Sequence, residues 1–215
     1  MKPLSWRKKQ WTVLRAVLMD LYPNRRTELN YTQDYELLFA TILSAQCTDD
    51  RVNTVSAVLF DRFKHLQDYC DAEIAEIERI VYSTGFYRAK ARHVQESARQ
   101  IAERFGGKLP STMQELITLP GVARKTANVV LQNCFDVLDG IAVDTHIIRF
   151  ANRFGLSISK NPDHIEQDLM VVIDKSEWMI AGYWIKEYGR QHGRPVGPAY
   201  NATTDPLVSY IVIHS

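Results

Sequence analysis

The sequence predicts an all-α fold. Two observations predict it: apolar side chains recur at helical spacing along most of the chain, and the strict alternation of half-buried strands is scarce. A third sets the scale. With 215 residues, 46% of them apolar, the chain can bury a large core without disulfide or metal staples. Ordinary apolar content, with only 10 Gly and 8 Pro, excludes collagen, disorder and low complexity. No apolar run is long enough to span a membrane, and the N-terminus (Met1 to Lys9) lacks a signal-peptide core, so the expected location is cytoplasmic. The formal net charge of +1 says little about partners, because a basic groove can hide inside a balanced total.

The elements follow in order. Leu37 to Ala45 is apolar almost all round and suits a central buried helix. Ile74, Ile77 and Val81 mark a second helix, and Val94, Ala98, Ile101, Ala102 and Phe105 a third. Ser111 with Gln114, or Thr112 with Glu115, can form a capping box before Leu116 and Leu119. A helix ends near Leu119, Pro120-Gly121 makes a tight turn, and another helix starts around Arg124. Ile141 to His146 opens a further helix, and Ile165–Ile173 and Trp178–Tyr188 read as two more. Gly189 to Pro206 carries several Gly and Pro residues and reads as a long loop. Cys47, Cys70 and Cys134 are odd in number, widely spaced and free of any CxxC, so they read as small buried side chains and no metal site.

The stretch Leu119-Pro120-Gly121-Val122-Ala123-Arg124-Lys125 carries chemistry. A tight turn running into a helix points backbone N–H groups outward, a ready anion site that takes a phosphodiester without reading a base. Arg124 and Lys125 add positive charge there. Asp144 opens the next helix, where aspartate is a favoured N-cap, and Lys125 alone reads as a solvated or phosphate-touching lysine. Together they suggest more, because both stand at helix N-termini.

LPGVARKTANVVL and IAVDTHIIRFANR, with LLFATILSAQCTDDRVN and TGFYRAKA, resemble the endonuclease III family, base-excision DNA glycosylases with AP-lyase activity. The resemblance runs from about Thr27 to Arg190. It implies that the Leu119–Val122 turn is the helix-hairpin-helix of the HhH-GPD superfamily, that Lys125 is the nucleophile attacking C1′ of the damaged nucleotide, and that Asp144 is the essential carboxylate. The chemistry suits these residue types. A lysine must be neutral to attack carbon, against a reference pKa of about 10.4; desolvation and a helix N-terminus both push it down. An aspartate can stabilise cationic character on the sugar and move protons. The resulting Schiff base acidifies C2′ and allows β-elimination of the 3′ phosphate.

A base must leave the stack before it can be cut out. The resemblance implies that Gln46 fills the hole and that the Thr84-Gly85-Phe86 turn supplies a second wedge, with Phe86 where the family usually has leucine. Phe86 can equally fold into the core, and Gln46 can bond local backbone. Arg88, Lys90, Arg92 and His93 follow the turn, either as a solvated face or as phosphate contacts. His146 either touches phosphate or bonds locally. Ala123 stands where the hairpin more often has glycine; phosphate binding through the backbone should survive this.

Most relatives end in four cysteines spaced C-x6-C-x2-C-x5-C that hold a [4Fe–4S] cluster. Here His192, Ala199, Ala202 and Val208 occupy those positions and no cysteine follows Cys134, so no cluster and no other cofactor or metal is expected. Packing of Tyr200, Val208, Tyr210 and Ile211 is the expected substitute. The expected domains are 27–136, with the helix-hairpin-helix, and 1–26 together with 137–215, where the cluster loop is degenerate; duplex DNA is expected across the cleft between the two lobes. The expected function is a monomeric glycosylase and AP lyase acting on oxidised pyrimidines in duplex DNA. The alternatives are a different base specificity on the same fold, or a non-catalytic module binding damaged DNA.

Overall fold

A computed structural model describes residues 1–23, 27–192 and 203–212. Among them the regular structure is helical throughout. The helices are α1 (Leu4–Leu21), α2 (Asp34–Leu43), α3 (Asp49–Arg62), α4 (Leu66–Asp71), α5 (Ile74–Val81) and α6 (Tyr87–Arg104). There follow α7 (Met113–Leu116), α8 (Arg124–Cys134), α9 (Thr145–Arg153), α10 (Pro162–Met170) and α11 (Trp178–His192). Two compact units result: Glu28–Asp139, and Met1–Thr27 with Gly140–Ser215.

In the Glu28–Asp139 unit, α2 is the central helix. Every residue from Glu36 to Leu43 is buried, as its all-round apolar character requires. It starts at a capping box in which Glu36 accepts from the Gln33 backbone at 3.0 Å. Phe39 and Phe63 pack their rings on Tyr69 at 4.9 and 5.0 Å, joining α2 to α3 and α4. α6 lays Val94, Ala98 and Ile101 into the same core, the periodicity read from the sequence. Cys47, Cys70 and Cys134 are only partly buried, packed against this core rather than inside it.

In the other unit, α1 is tied to residues far along the chain. The Arg7 guanidinium is 5% exposed and donates to the Leu156 carbonyl at 3.0 Å and to Asp168 Oδ1 at 3.4 Å. Trp184 Nε1 donates to the carbonyl of Tyr22 at 2.7 Å. Phe150, Phe154 and Tyr188 form an aromatic cluster with centroids 4.6 to 5.9 Å apart, joining α9 to α11.

α11 runs through Gly189 to His192, where the glycine and proline content predicted loop. Gly189 belongs in the helix because a side chain there would strike the His146 ring. Of the proposed packing residues, Val208 is 40% exposed, Tyr210 and Ile211 are half-buried, and Tyr200 lies outside the described residues, as do Ala199 and Ala202 at the former cysteine positions. The anchors are Asp205, 4% exposed, and Leu207, fully buried. Asp205 accepts from the Tyr188 hydroxyl at 2.8 Å and from the Leu207 N–H at 2.8 Å, with Arg153 at 4.0 Å. Gln10 donates to the Tyr210 carbonyl at 2.7 Å, and the Val212 N–H to the Arg153 carbonyl at 3.0 Å.

Candidate nucleic-acid interface and catalytic residues

The hairpin is built from α7, a turn and α8. Thr112 caps α7: its hydroxyl accepts from the Glu115 N–H at 3.3 Å and donates to the Glu115 carboxylate at 2.7 Å, so of the two candidate N-caps the second is used, with the carboxylate on the hydroxyl rather than on the backbone N–H of a full capping box. The Val122 N–H closes the Leu119–Val122 turn on the Leu119 carbonyl at 3.2 Å, and both apolar side chains are buried. Gly121 has φ +76°, and a Cβ there would stand 2.6 Å from His93 Nδ1. Backbone conformation and the approach of α6 both demand glycine.

Ala123 is the N-cap of α8 at φ −94°, ψ 171°, ordinary extended backbone. Replacing the family's glycine by alanine therefore introduces no strain here. The N-cap side chain makes no bond to the start of α8, a helix end that suits an anion. Arg124 does not stand open beside it: its guanidinium lies against Asp139, donating to the carbonyl at 3.2 Å and 3.5 Å from the carboxylate. Lys125 occupies the first turn, exposed, with no hydrogen bond or ion pair among the described residues. Among the described residues nothing buries this amine, so the desolvation that favours its neutral form is not in place.

Asp144 is the N-cap of α9, as capping preference predicts. Its Oδ1 accepts from the N–H groups of His146 at 2.8 Å and Ile147 at 3.0 Å. Both bonds use one oxygen, which orients the carboxylate and leaves Oδ2 outside the cap. His146 makes a local contact in the structure. The ring is half-buried in a depression lined by Arg149, Phe150, Arg153, Tyr188 and Gly189, with Nδ1 3.1 Å from Arg149 Nη2. Burial pushes its pKa below the ordinary value, Asp144 pulls it up, and Arg149 pushes it further down.

The two candidate wedges share an unusual backbone. Gln46 at φ +53° and Phe86 at φ +49° are two of the three non-glycine residues with positive φ among those described. Phe86 is 68% exposed at the N-cap of α6 and does not fold into the core. Gln46 is exposed too, with no hydrogen bond from its amide among the described residues. A left-handed conformation costs a non-glycine residue about 1–2 kcal/mol, and an exposed aromatic loses burial besides. Strain of this kind persists only where the surrounding structure over-determines it, and it clusters at functional sites.

The charge run after Phe86 does not act as one face. Arg88 and Arg92 are exposed, but His93 packs on Gly121 and Lys90 is buried. Sequence reasoning grouped Lys90 with the exposed charges, although it stands one turn before Val94 on the stripe of Val94, Ala98 and Ile101 that α6 buries.

The donor set does not fit an iron–sulfur cluster. Every cysteine lies within the Glu28–Asp139 unit, and burial raises the Cys134 thiol to about 12, far from a ready thiolate. His192 ends α11 beside Tyr188, with ring centroids 5.3 Å apart.

Comparison with known proteins gives the family. The description "HhH-GPD superfamily base excision DNA repair protein" matches residues 39–175. Endonuclease III of Synechocystis sp. is 44% identical over 88% of this chain and 87% of its own. An endonuclease III solved in a non-covalent complex with DNA superposes with TM-score 0.89 at 35% identity, covering 95% of this chain and 94% of its own. An endonuclease III–DNA complex solved as a trapped covalent intermediate matches equally, with TM-score 0.89, 35% identity and 95% of both chains covered. With its uncapped hairpin, its lysine one position into α8 and its aspartate capping α9, the chain belongs to the HhH-GPD superfamily of base excision DNA repair proteins, in its endonuclease III family.

Proposed function

We propose that this protein is a bifunctional DNA glycosylase and AP lyase that removes oxidised pyrimidines from duplex DNA, with Lys125 as nucleophile and Asp144 as the carboxylate it depends on. The observation that carries the reading is Lys125: an exposed amine, unpartnered among the described residues, in the first turn of a helix with no side-chain cap, in a chain 35% identical to an endonuclease III trapped covalently on DNA.

The hairpin turn around Gly121 and the N–H groups after Ala123 hold a phosphate, and Arg124, shared with Asp139, adds to the local field. Phe86 and Gln46 enter the stack and hold the damaged nucleotide out. DNA closing over Lys125 supplies the desolvation that the protein alone does not. The amine nitrogen then bonds to C1′ as the C1′–N bond breaks, and the base leaves with the electron pair and takes up a proton. Asp144, fixed through Oδ1, faces the developing positive charge with Oδ2. Loss of the amine proton and ring opening give an iminium between Nζ and C1′. A C2′ proton is removed, the C3′–O bond breaks, and the 3′ phosphate departs; water then frees the lysine. This work belongs with the DNA, in the cytoplasm and at the nucleoid if the cell is bacterial.

The test is borohydride trapping on thymine-glycol and abasic duplexes. Wild type should give a covalent adduct on both, and Lys125→Ala should reduce it at least a hundredfold. Binding of abasic duplex with no adduct and no strand cleavage over hours would instead support a non-catalytic damage-binding module.

A further inference from the structure

Lys90 is 4% exposed, yet it carries an ammonium that meets no carboxylate among the described residues. Its Nζ donates to the Leu43 carbonyl at 2.8 Å and to the Thr84 carbonyl at 2.7 Å. Leu43 is the last residue of α2, and Thr84 ends the short 3-10 turn Tyr82–Thr84. Gln46 lies three residues beyond the first carbonyl and Phe86 two beyond the second. The backbone N–H of Lys90 also donates to the Phe86 carbonyl, at 3.1 Å. One residue thus grips both turns, and the second turn on either side of its wedge.

Packing alone does not call for a lysine here. Burial disfavours the charged form and lowers the pKa of this amine, a cost that methionine or leucine of similar volume avoids. What lysine adds is a branched set of strong donors able to bridge two carbonyls from segments some forty residues apart. At the end of α2 that cation also meets the negative pole of the helix. The other bonds of the two turns are local and do not join them. The first has the Ala45 N–H on the Ile42 carbonyl at 3.4 Å and the Cys47 N–H on the Ser44 carbonyl at 3.1 Å; the second has the Gly85 N–H on the Tyr82 carbonyl at 3.4 Å and the Thr84 hydroxyl on the Val81 carbonyl at 2.8 Å.

We propose that Lys90 is a positioning residue for duplex opening: it clamps the turn bearing Gln46 to the turn bearing Phe86, so that the two wedges enter the stack together at a fixed separation. The inference rests on the reading of those two side chains as wedges in a lyase. Lys90 touches neither DNA nor the reacting atoms. Its effect is confined to substrates whose nucleotide must be extracted from a helix.

Trapping with borohydride separates that effect from the chemistry. A single-stranded abasic oligonucleotide offers its sugar without extrusion from a stack, whereas the same lesion in a duplex does not. The ratio of trapping rates, duplex over single strand, is the quantity to read. Lys90→Met should lower the ratio at least tenfold while leaving the single-strand rate within threefold of wild type, and Lys90→Arg, which keeps the charge and several donors, should recover part of it. Lys90→Met should also add less than its full effect to Phe86→Ala on duplex, since the clamp acts in part through that wedge; a lysine that merely stabilised the fold would lower both rates together and add fully. Should Lys90→Met fail to fold by circular dichroism, Lys90→Gln, whose uncharged amide sits on a shorter side chain, carries the same comparison. An unchanged ratio in a folded variant overturns the clamp and leaves the lyase intact. Wild type that traps neither substrate overturns both.

Discussion

Asp205→Ala tests what holds the C-terminal segment of a family member without cluster cysteines. The carboxylate is 1% exposed and accepts two hydrogen bonds of 2.8 Å, from the Tyr188 hydroxyl and the Leu207 N–H. Its removal strands both donors in the interior, where each unsatisfied group costs about 1–3 kcal/mol. It also removes the charge facing Arg153 at 4.0 Å. The expected loss is about 3–5 kcal/mol, large against the ~5–15 kcal/mol that a domain commonly has. Tyr188→Phe breaks one of the bonds, leaves the carboxylate its other partners and should cost about 1–2 kcal/mol. Because the two share an interaction, the double variant should fall short of their sum. Urea unfolding followed by tryptophan fluorescence suits the question, because Trp6, Trp11, Trp178 and Trp184 all lie in the unit that contains Asp205. Limited proteolysis should show faster cleavage near the C-terminus. An Asp205→Ala protein within about 1 kcal/mol of wild type, with unchanged proteolysis, would refute the anchoring argument.

Three further outcomes follow from single sites. Gly121→Ala places a Cβ 2.6 Å from His93 Nδ1 at φ +76°, so it should cost about 2–3 kcal/mol by calorimetry and weaken binding to undamaged and damaged duplex alike. Cys134, raised to about 12 by burial and the nearby Asp34, should resist iodoacetamide at pH 8 in the native protein and react when denatured. The half-buried His146 ring is favoured neutral in the folded state, its pKa lying below 6.5; the stability this brings is present above that value and lost as pH falls through the lowered one. Tryptophan-monitored urea midpoints should therefore drop on acidification below 6.5, and His146→Asn should remove part of that drop.

The parts legible in the sequence were those decided by neighbours along the chain. The apolar run of α2, the spacing of Val94, Ala98 and Ile101, the Thr112–Glu115 cap and the Pro120-Gly121 turn are local patterns with local causes. What stayed hidden depends on partners distant in sequence. Lys90 reads as one of four basic residues on a helix until carbonyls at positions 43 and 84 converge on it. Gly189 reads as a helix breaker until His146 takes up the space a side chain would need. Apolar character favoured Val208 as the C-terminal anchor, whereas the anchor is a polar residue, Asp205, whose partners come from α9 and α11. Phe86 and Gln46 were legible as candidates only through resemblance; their left-handed backbone and exposure are properties no propensity predicts.

Peptide mapping of the borohydride-reduced adduct tests the central claim most directly. After digestion of the protein and the DNA, mass spectrometry should find the reduced sugar remnant on the peptide containing Lys125 and on no other amine. A remnant on another lysine or on the N-terminus, with Lys125 unmodified, would contradict the account.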